Sequence, residues 1–184
     1  MEEKRKATED KKRIADAWVQ DVILAKKGDD EAYIRMIERC KQSMYKVARS
    51  YLKNEEDIAD VLQESILKCY QSLTRLQKPH FFKTWLIRIV INECNDLLRK
   101  KKRECQMEEE EMPFMGQKEQ GYSNVEFEDL MQCIPEKYRT ILVLYYAEGY
   151  NSREIAMMLG MRSATVRTRL VRGRTLLKIY LGDK

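Results

Sequence analysis

Apolar residues recur at intervals of three and four along most of the first hundred positions, which is the spacing of amphipathic α-helices. Strands would need long alternations of β-branched residues, and the sequence has none. Asp29 or Asp30, after the break at Gly28, is positioned to cap the second predicted helix, and Asn54 ends it. The predicted helices cover residues 14–27, 31–53, 55–73 and 81–102. The pattern indicates an all-α chain.

The periodicity disappears over 104–124, a stretch that contains Pro113, Gly116 and Gly121 and is rich in glutamate. This composition is typical of a flexible acidic linker. Helical spacing then returns, with Tyr145 among the residues expected to face inward. The later helices are predicted over 125–134, 136–148, 152–159 and 163–180. We therefore expect a charged extension (1–20) and two small helical domains, 21–103 and 125–184.

The segment 151–180 has the pattern of a helix-turn-helix. Asn151 or Ser152 caps its first helix, Ala156 is small where a second helix must cross, and Gly160 supplies the turn. In the second helix an inward face begins at Val166, and the opposite face is small and basic. That outer face carries Ala164, Arg167, Thr168, Val171 and Arg172. Such a helix fits the major groove of duplex DNA, although a solvated basic helix in an ordinary bundle would look similar.

The helix predicted over 81–102 offers a second nucleic-acid surface. A polar stripe opposite its apolar face contains Arg88, Asn92, Asn95 and Arg99, and it leads into the basic run from Arg99 to Arg103. Amide side chains can hydrogen-bond base edges, and the basic run can neutralise phosphates. Phe81, Phe82 and Trp85 could stack on unpaired bases, but Trp85 belongs to the apolar stripe and core packing is the favoured interpretation.

Charge and cysteine usage narrow the class of protein. The formal net charge is +5, distributed as a basic, an acidic and a second basic block along the second half of the chain. The five cysteines are widely spaced and include no Cys-x-x-Cys pair, so neither a disulfide framework nor a zinc site is indicated. No apolar run has the length of a membrane span or of a signal peptide. A reduced, cytoplasmic protein is expected.

Nothing in the sequence points to catalysis. His80 is the only histidine, no glycine-rich phosphate loop is present, and the carboxylates form no convincing cluster. We expect no catalytic residues, no metal and no cofactor. A nuclease or nucleotidyltransferase is the enzymatic alternative, and it would lack a base or a metal site.

Taken together, four stretches resemble the extracytoplasmic-function group of RNA polymerase sigma factors, the smallest members of the sigma-70 family. The residues that carry the resemblance are Ala25-Lys26-Lys27-Gly28-Asp29 with Ala32-Tyr33, Asp57-Ile58-Ala59-Asp60-Val61-Leu62-Gln63-Glu64, Phe82-Lys83-Thr84-Trp85-Leu86 with Ile89, Asn92, Asp96 and Arg99, and Tyr138-Arg139, Glu154-Ile155-Ala156, Gly160 and Thr165 to Arg174. Their order and spacing cover nearly the whole chain after residue 20. Domain 21–103 would be sigma region 2 and domain 125–184 sigma region 4.

The resemblance implies three binding surfaces and one further partner. An acidic stripe, Asp57, Asp60, Gln63 and Glu64, would dock on core RNA polymerase. The melted minus-ten strand of the promoter would be held by Arg88, Asn92, Asn95, Arg99 and Lys100. The duplex minus-thirty-five element would be read by Ala164, Arg167, Thr168, Arg172 and Arg174. The linker would pass through the polymerase cleft, and an anti-sigma factor would hold both domains.

One departure from the family and one competing interpretation stay open. Gly173 stands where the family often has alanine, and glycine inside a helix costs about 1 kcal/mol relative to alanine. A stand-alone helix-turn-helix regulator would explain the segment 151–180. It would leave the acidic stripe and the polar stripe of the 81–102 helix without a purpose.

Overall fold

The computed structural model describes residues 17–107, 131 and 133–182, and within those ranges every regular element is a helix. In chain order they are α1 (17–26), α2 (Asp30–Tyr51), α3 (Glu55–Ser72), α4 (Phe82–Met107), α5 (Glu136–Leu142), α6 (Ser152–Leu159) and α7 (Ser163–Gly182). Two 3-10 turns, Leu73–Arg75 and Pro79–Phe81, connect α3 to α4, and a π-helical turn, Val143–Ala147, follows α5. The all-α prediction is confirmed.

Side-chain caps fix where the helices of the first domain begin. Asp29 Oδ1 accepts a hydrogen bond of 2.9 Å from Ala32 N, so Asp29 is the cap of α2. Asn54 Oδ1 accepts from Glu56 N at 2.7 Å and thereby caps α3. Each cap satisfies a backbone donor that the first helical turn leaves without a partner. The break between α2 and α3 is therefore local in origin.

The first domain is a bundle in which α2, α3 and α4 pack against one another. Its core contains the fully buried side chains of Met36, Met44, Ile58, Phe82 and Leu86. The buried surface of α4 is wider than its sequence indicates, because Ile87 and Ile91 are also buried. A helix that is apolar on more than one side has more than one packing partner, and α4 contacts α6 of the second domain as well as α2 and α3.

The second domain is built from α5, α6 and α7, with Ile141, Leu142 and Leu144 buried. Tyr145, expected to face inward, is 40% exposed. The π-helical turn explains this error. Its hydrogen bond from Glu148 N to Val143 O joins residues five apart instead of four, so the side chains of the turn point in different directions from those of an α-helix.

Gly173 lets α7 approach α5 closely. A Cβ atom at Gly173 would lie 3.1 Å from Leu142 Cδ1, which is tighter than an ordinary van der Waals contact. Leu142 is itself only 1% exposed and has little room to move. The departure from alanine therefore has a packing reason that offsets the cost of glycine in a helix.

Several sequence predictions lie outside the described residues. They are the extension before residue 17, the linker from 108 onward and most of the helix predicted over 125–134. α4 continues to Met107, four residues beyond Arg103, where we expect the first domain to end. Among the helices that are described, none is long and apolar enough to cross a membrane.

The buried carboxylate of Asp21 in α1 binds two arginines of α2. Asp21 is 7% exposed and accepts hydrogen bonds from Arg35 Nη2 at 2.8 Å and from Arg39 Nη1 at 2.7 Å. The hydrogen bond from Arg35 is the main reason that the pKa of Asp21 lies below its ordinary value of 3.8, and the charges of both arginines add to it against the opposing effect of burial.

We expect Asp21→Asn to lower the free energy of unfolding by about 1 kcal/mol near neutral pH. This is the contribution of a charge-assisted hydrogen bond, reduced because both arginines are partly exposed to solvent. Because the folded-state pKa is depressed, this stabilisation is present above pH 3.8 and is lost as the pH falls through the folded value. Urea unfolding of both proteins at neutral and acidic pH measures it. Glu38→Gln, at an exposed pair with Lys41, is the control; an equal loss there would contradict the role of Asp21.

Candidate functional site

The helix-turn-helix is held in shape by a reciprocal cap and a left-handed turn. Asn151 Oδ1 accepts from Glu154 N at 3.1 Å, and Glu154 Oε2 accepts from Asn151 N at 2.8 Å. Gly160 has φ of 62°, a conformation that favours glycine and allows α7 to leave α6 at an angle. Ala156 and Val166 are buried where the two helices cross. The motif thus forms as its sequence predicts.

The outer side of α7 brings together the residues expected to read duplex DNA. All of them are exposed: Ala164, Arg167, Thr168, Arg172 and Arg174. Arg167 Nη1 donates to Ser163 Oγ at 3.0 Å, a contact that orients the guanidinium near the beginning of the helix. Arg174 also lines an apolar groove with Tyr146 and Leu177. α7 therefore presents a basic face that begins with small residues, the form that a groove-reading helix requires.

The polar stripe of α4 forms the second surface. Its side chains at Arg88, Asn92, Arg99 and Lys100 are exposed. Asn95 is partly buried, and its Nδ2 donates to Ile91 O at 2.9 Å, so its amide oxygen and one amide hydrogen remain for a ligand. The stripe combines amide groups with a basic end, which suits a nucleic-acid strand.

Two of the three aromatic residues near the start of α4 pack in the core. Phe82 is fully buried, and the Trp85 ring is partly buried with its centroid 6.1 Å from that of Phe82. Phe81 differs, since it is 48% exposed. The core interpretation is correct for Phe82 and Trp85, whereas Phe81 has a face available for stacking.

A pocket of about 340 Å³ lies between α3 and α4, next to Asn92. Inside it, Glu93 is paired with Lys68 at 2.7 Å, and this hydrogen bond is the main reason that the pKa of Lys68 is raised. Sequence reasoning missed this pocket. The sequence pattern that could have predicted it is the helical spacing of four polar residues, which places them in one row facing α4: Lys68, Gln71, Ser72 and Arg75.

The acidic stripe of α3 contains one partly buried residue and three exposed ones, of which Glu64 also pairs with Lys68 of the same helix at 3.4 Å. Asp57 has a side chain only 19% exposed and pairs with Lys101 of α4 at 2.6 Å. Asp60, Gln63 and Glu64 are exposed. Leu67, one turn beyond Gln63, is 50% exposed and extends the same face with an apolar group. The sequence analysis did not assign Leu67 to this surface, although its position seven residues after Asp60 places both on the same face of α3.

Comparison with known protein families gives two matches. The model for Sigma-70 region 2 matches residues 36–104, and the model for Sigma-70 region 4 matches residues 124–177. RNA polymerase sigma factor SigV of Bacillus subtilis is 35% identical over 142 residues, which cover 77% of this chain and 86% of SigV. The chain belongs to the extracytoplasmic-function sigma factors of the sigma-70 family.

One further relative and one solved structure are also similar to this chain. ECF RNA polymerase sigma factor SigW of Bacillus subtilis is 29% identical over 174 residues, covering 86% of this chain and 93% of SigW. The sigma factor RpoE of Bartonella quintana, solved with the anti-sigma factor NepR, superimposes with a TM-score of 0.70 at 19% identity, over 82% of this chain and 96% of RpoE. The structural likeness supports the fold. The region 2 match covers α3 and most of α2 and α4, and the region 4 match covers α5, α6 and most of α7.

Proposed function

We propose that this sigma factor directs core RNA polymerase to a specific set of promoters through the three surfaces described above. The observation that supports this most is their coexistence in one chain: a basic groove-reading helix, a separate amide-rich stripe, and an exposed acidic face that neither DNA surface needs. A protein that only binds an operator requires the first of these alone. Polymerase performs the chemistry of initiation, so the chain acts without enzymatic activity of its own.

Region 4 binds the duplex minus-thirty-five element. Arg167 and Arg172 project from the exposed side of α7, and arginine pairs with O6 and N7 of guanine in the major groove. Ala164 and Thr168 keep the leading part of that side small enough for close approach to the bases. Arg174 lies further along α7, and its positive charge attracts the phosphates of the DNA backbone.

Region 2 binds the melted minus-ten strand. Arg88, Asn92, Asn95, Arg99 and Lys100 follow the strand along α4. The pocket beside Asn92 has a volume within the range of small-ligand sites, and Arg75 and Gln71 offer donors inside it. An unpaired base turned out of the strand would enter this pocket.

The polymerase contact is centred on Leu67. Interfaces combine a desolvated apolar centre with a polar rim, and Asp60, Gln63 and Glu64 supply such a rim next to Leu67. Asp57 acts differently in this proposal. Because its carboxylate is held by Lys101, it positions the beginning of α3 against α4 and contributes charge at the edge of the contact.

An anti-sigma factor is the regulatory partner that we propose. The support is the likeness of fold to RpoE of Bartonella quintana, which was solved in complex with an anti-sigma factor. We place the protein in the cytoplasm, where core polymerase and promoter DNA are found.

Run-off transcription tests the proposed function. Purified chain is combined with core polymerase and a template library randomised over the two promoter elements, and the templates that yield transcripts are sequenced. We expect enrichment of two short motifs at a fixed separation, one read by each region. Binding to a double-stranded site without transcription from any template would instead identify a stand-alone helix-turn-helix regulator.

A further inference from the structure

The turn between α1 and α2 belongs to none of the three binding surfaces. Lys26 is the last residue of α1. Hydrogen bonds from Gly28 N to Ala25 O at 3.0 Å and from Asp29 N to Leu24 O at 3.2 Å close the turn that follows. Gly28 has a φ of 96°, a conformation that favours glycine. Lys26 therefore projects from a junction whose backbone is fixed.

The ammonium group of Lys26 is bonded to the loop that connects α3 to α4. Lys26 Nζ donates to Leu76 O at 2.6 Å, across 50 positions of sequence. Leu76 is 7% exposed and follows the 3-10 turn Leu73–Arg75, so its carbonyl lies past the end of the helical hydrogen bonds. A backbone carbonyl in such a place needs a donor from elsewhere. Lys26 supplies that donor.

A second contact ties α3 to α2 earlier in the chain. Tyr33 Oη donates to Ile66 O at 2.6 Å, and the centroid of the Tyr33 ring lies 5.0 Å from that of Tyr70. The chain is thus held from outside the pocket at Ile66 and again at Leu76. The stretch between these two points carries the residues of α3 and its following turn that line the pocket beside Asn92: Lys68, Gln71, Ser72 and Arg75.

The two ends of this stretch differ in how their side chains are held. Lys68 pairs with Glu93 of α4 at 2.7 Å, which fixes that part of α3 against α4. Arg75 lies beyond the end of α3, is exposed, and has no hydrogen bond or ion pair with another described residue. The position of its guanidinium group therefore depends on the backbone that carries it. That backbone is held at the next residue, Leu76, by the bond from Lys26.

We propose that Lys26 is a positioning residue for the pocket between α3 and α4. By holding the carbonyl of Leu76, it keeps Arg75 in the pocket wall, where the guanidinium donates hydrogen bonds to an acceptor of the unpaired base. Loss of the bond lets the turn move and weakens the preference for that base, although Lys26 itself touches no DNA. This inference rests on the proposed function of the pocket, and its tests are chosen so that the two can fail separately.

Promoter selection by variant holoenzymes tests this role. Arg75→Ala identifies the base position at which the pocket acts, because preference is lost there. We expect Lys26→Met, which keeps the length of the side chain without the donor, to lower the preference at that same position by roughly tenfold. The preferences within the minus-thirty-five element should not change. Lys26→Arg keeps a donor and should retain the preference of the parent protein.

The matched control is Lys27→Met, which removes the same charge from the adjacent, exposed residue. In Lys26→Met/Arg75→Ala the preference should equal that of Arg75→Ala alone, because the lysine acts through the arginine. The inference is overturned if Lys26→Met behaves as Lys27→Met does, or if it lowers preference evenly at every promoter position, as a lysine that only stabilises the fold would. If Arg75→Ala changes no position, the pocket reads no base, and the proposed use of the pocket fails together with the inference.

Hydrogen exchange of the free protein measures the loop directly and needs neither polymerase nor DNA. Lys26→Met should raise amide exchange over residues 73–78 by roughly tenfold, because the loop loses one of the hydrogen bonds that keep it closed. Lys26→Arg and Lys27→Met should exchange as the parent protein does. Unchanged exchange over 73–78 in Lys26→Met would mean that the ammonium group does not hold the loop, and the inference would be wrong even if the pocket binds a base.

Discussion

Reversing both Asp60 and Glu64 to arginine is expected to weaken binding to core RNA polymerase by roughly 100-fold, or about 3 kcal/mol, the scale of like-charge contacts at an interface. Both side chains are exposed on α3, next to Leu67. The only ion pair lost within the described residues is that of Glu64 with Lys68 at 3.4 Å, and Lys68 keeps its closer partner Glu93. The fold should therefore remain intact.

The measurement is a titration of core polymerase with labelled protein, together with thermal unfolding of each variant. Glu31→Arg/Glu38→Arg is the control, because it changes the net charge equally and both of its residues are exposed on α2. Full-strength binding by the folded Asp60/Glu64 variant would remove the acidic face from the polymerase contact. Leu67→Ala is expected to weaken binding in the same direction without any change of charge.

Replacing Arg167 or Arg172 with alanine is expected to cost about 1 to 3 kcal/mol of promoter binding and to relax sequence preference at one position of the minus-thirty-five element. The physical reason is that a guanidinium which pairs with a base edge distinguishes that base from the others. The outcome is measured by repeating the library selection with each variant holoenzyme and comparing the enriched motifs.

Lys100→Ala provides the contrast. A phosphate contact carries no sequence information, so its loss should weaken binding evenly and lower the slope of log affinity against log salt by about 1. Lys101 is less suitable for this comparison, since its ammonium group is held by Asp57 at 2.6 Å. Uniform loss across all promoter variants for Arg167, Arg172 and Lys100 alike would contradict the division between base-reading and phosphate contacts.

The features that the sequence predicts well are those determined by near neighbours. The caps at Asp29 and Asn151 each depend on a side chain and a backbone donor two or three residues away. The turn at Gly160 depends on one residue with a positive φ. Local interactions of this kind are fully encoded in a short window of sequence.

The features that sequence reasoning misses depend on partners far along the chain. Ile87 and Ile91 lie outside the single apolar face of an amphipathic α4, and their burial is explained only by a second packing partner. Glu93 falls on the apolar face of α4, and its position is explained only by its ion pair with Lys68. Periodicity describes one face of one helix and says nothing of what another domain covers. The candidate surfaces could therefore be predicted residue by residue, but the packing of one domain against the other could not.

The ion pair between Asp57 and Lys101 has a consequence for how region 2 responds to its partners. It joins α3, which we propose faces polymerase, to the basic end of α4, which we propose faces DNA, across 44 positions of sequence. A polymerase group that attracts the Asp57 carboxylate would free an ammonium ion for a phosphate, and a phosphate that attracts Lys101 would free the carboxylate. Thermodynamic linkage makes such an exchange reciprocal. Polymerase and DNA would therefore favour each other's binding to region 2 through the single ion pair between Asp57 and Lys101, without any change in the backbone.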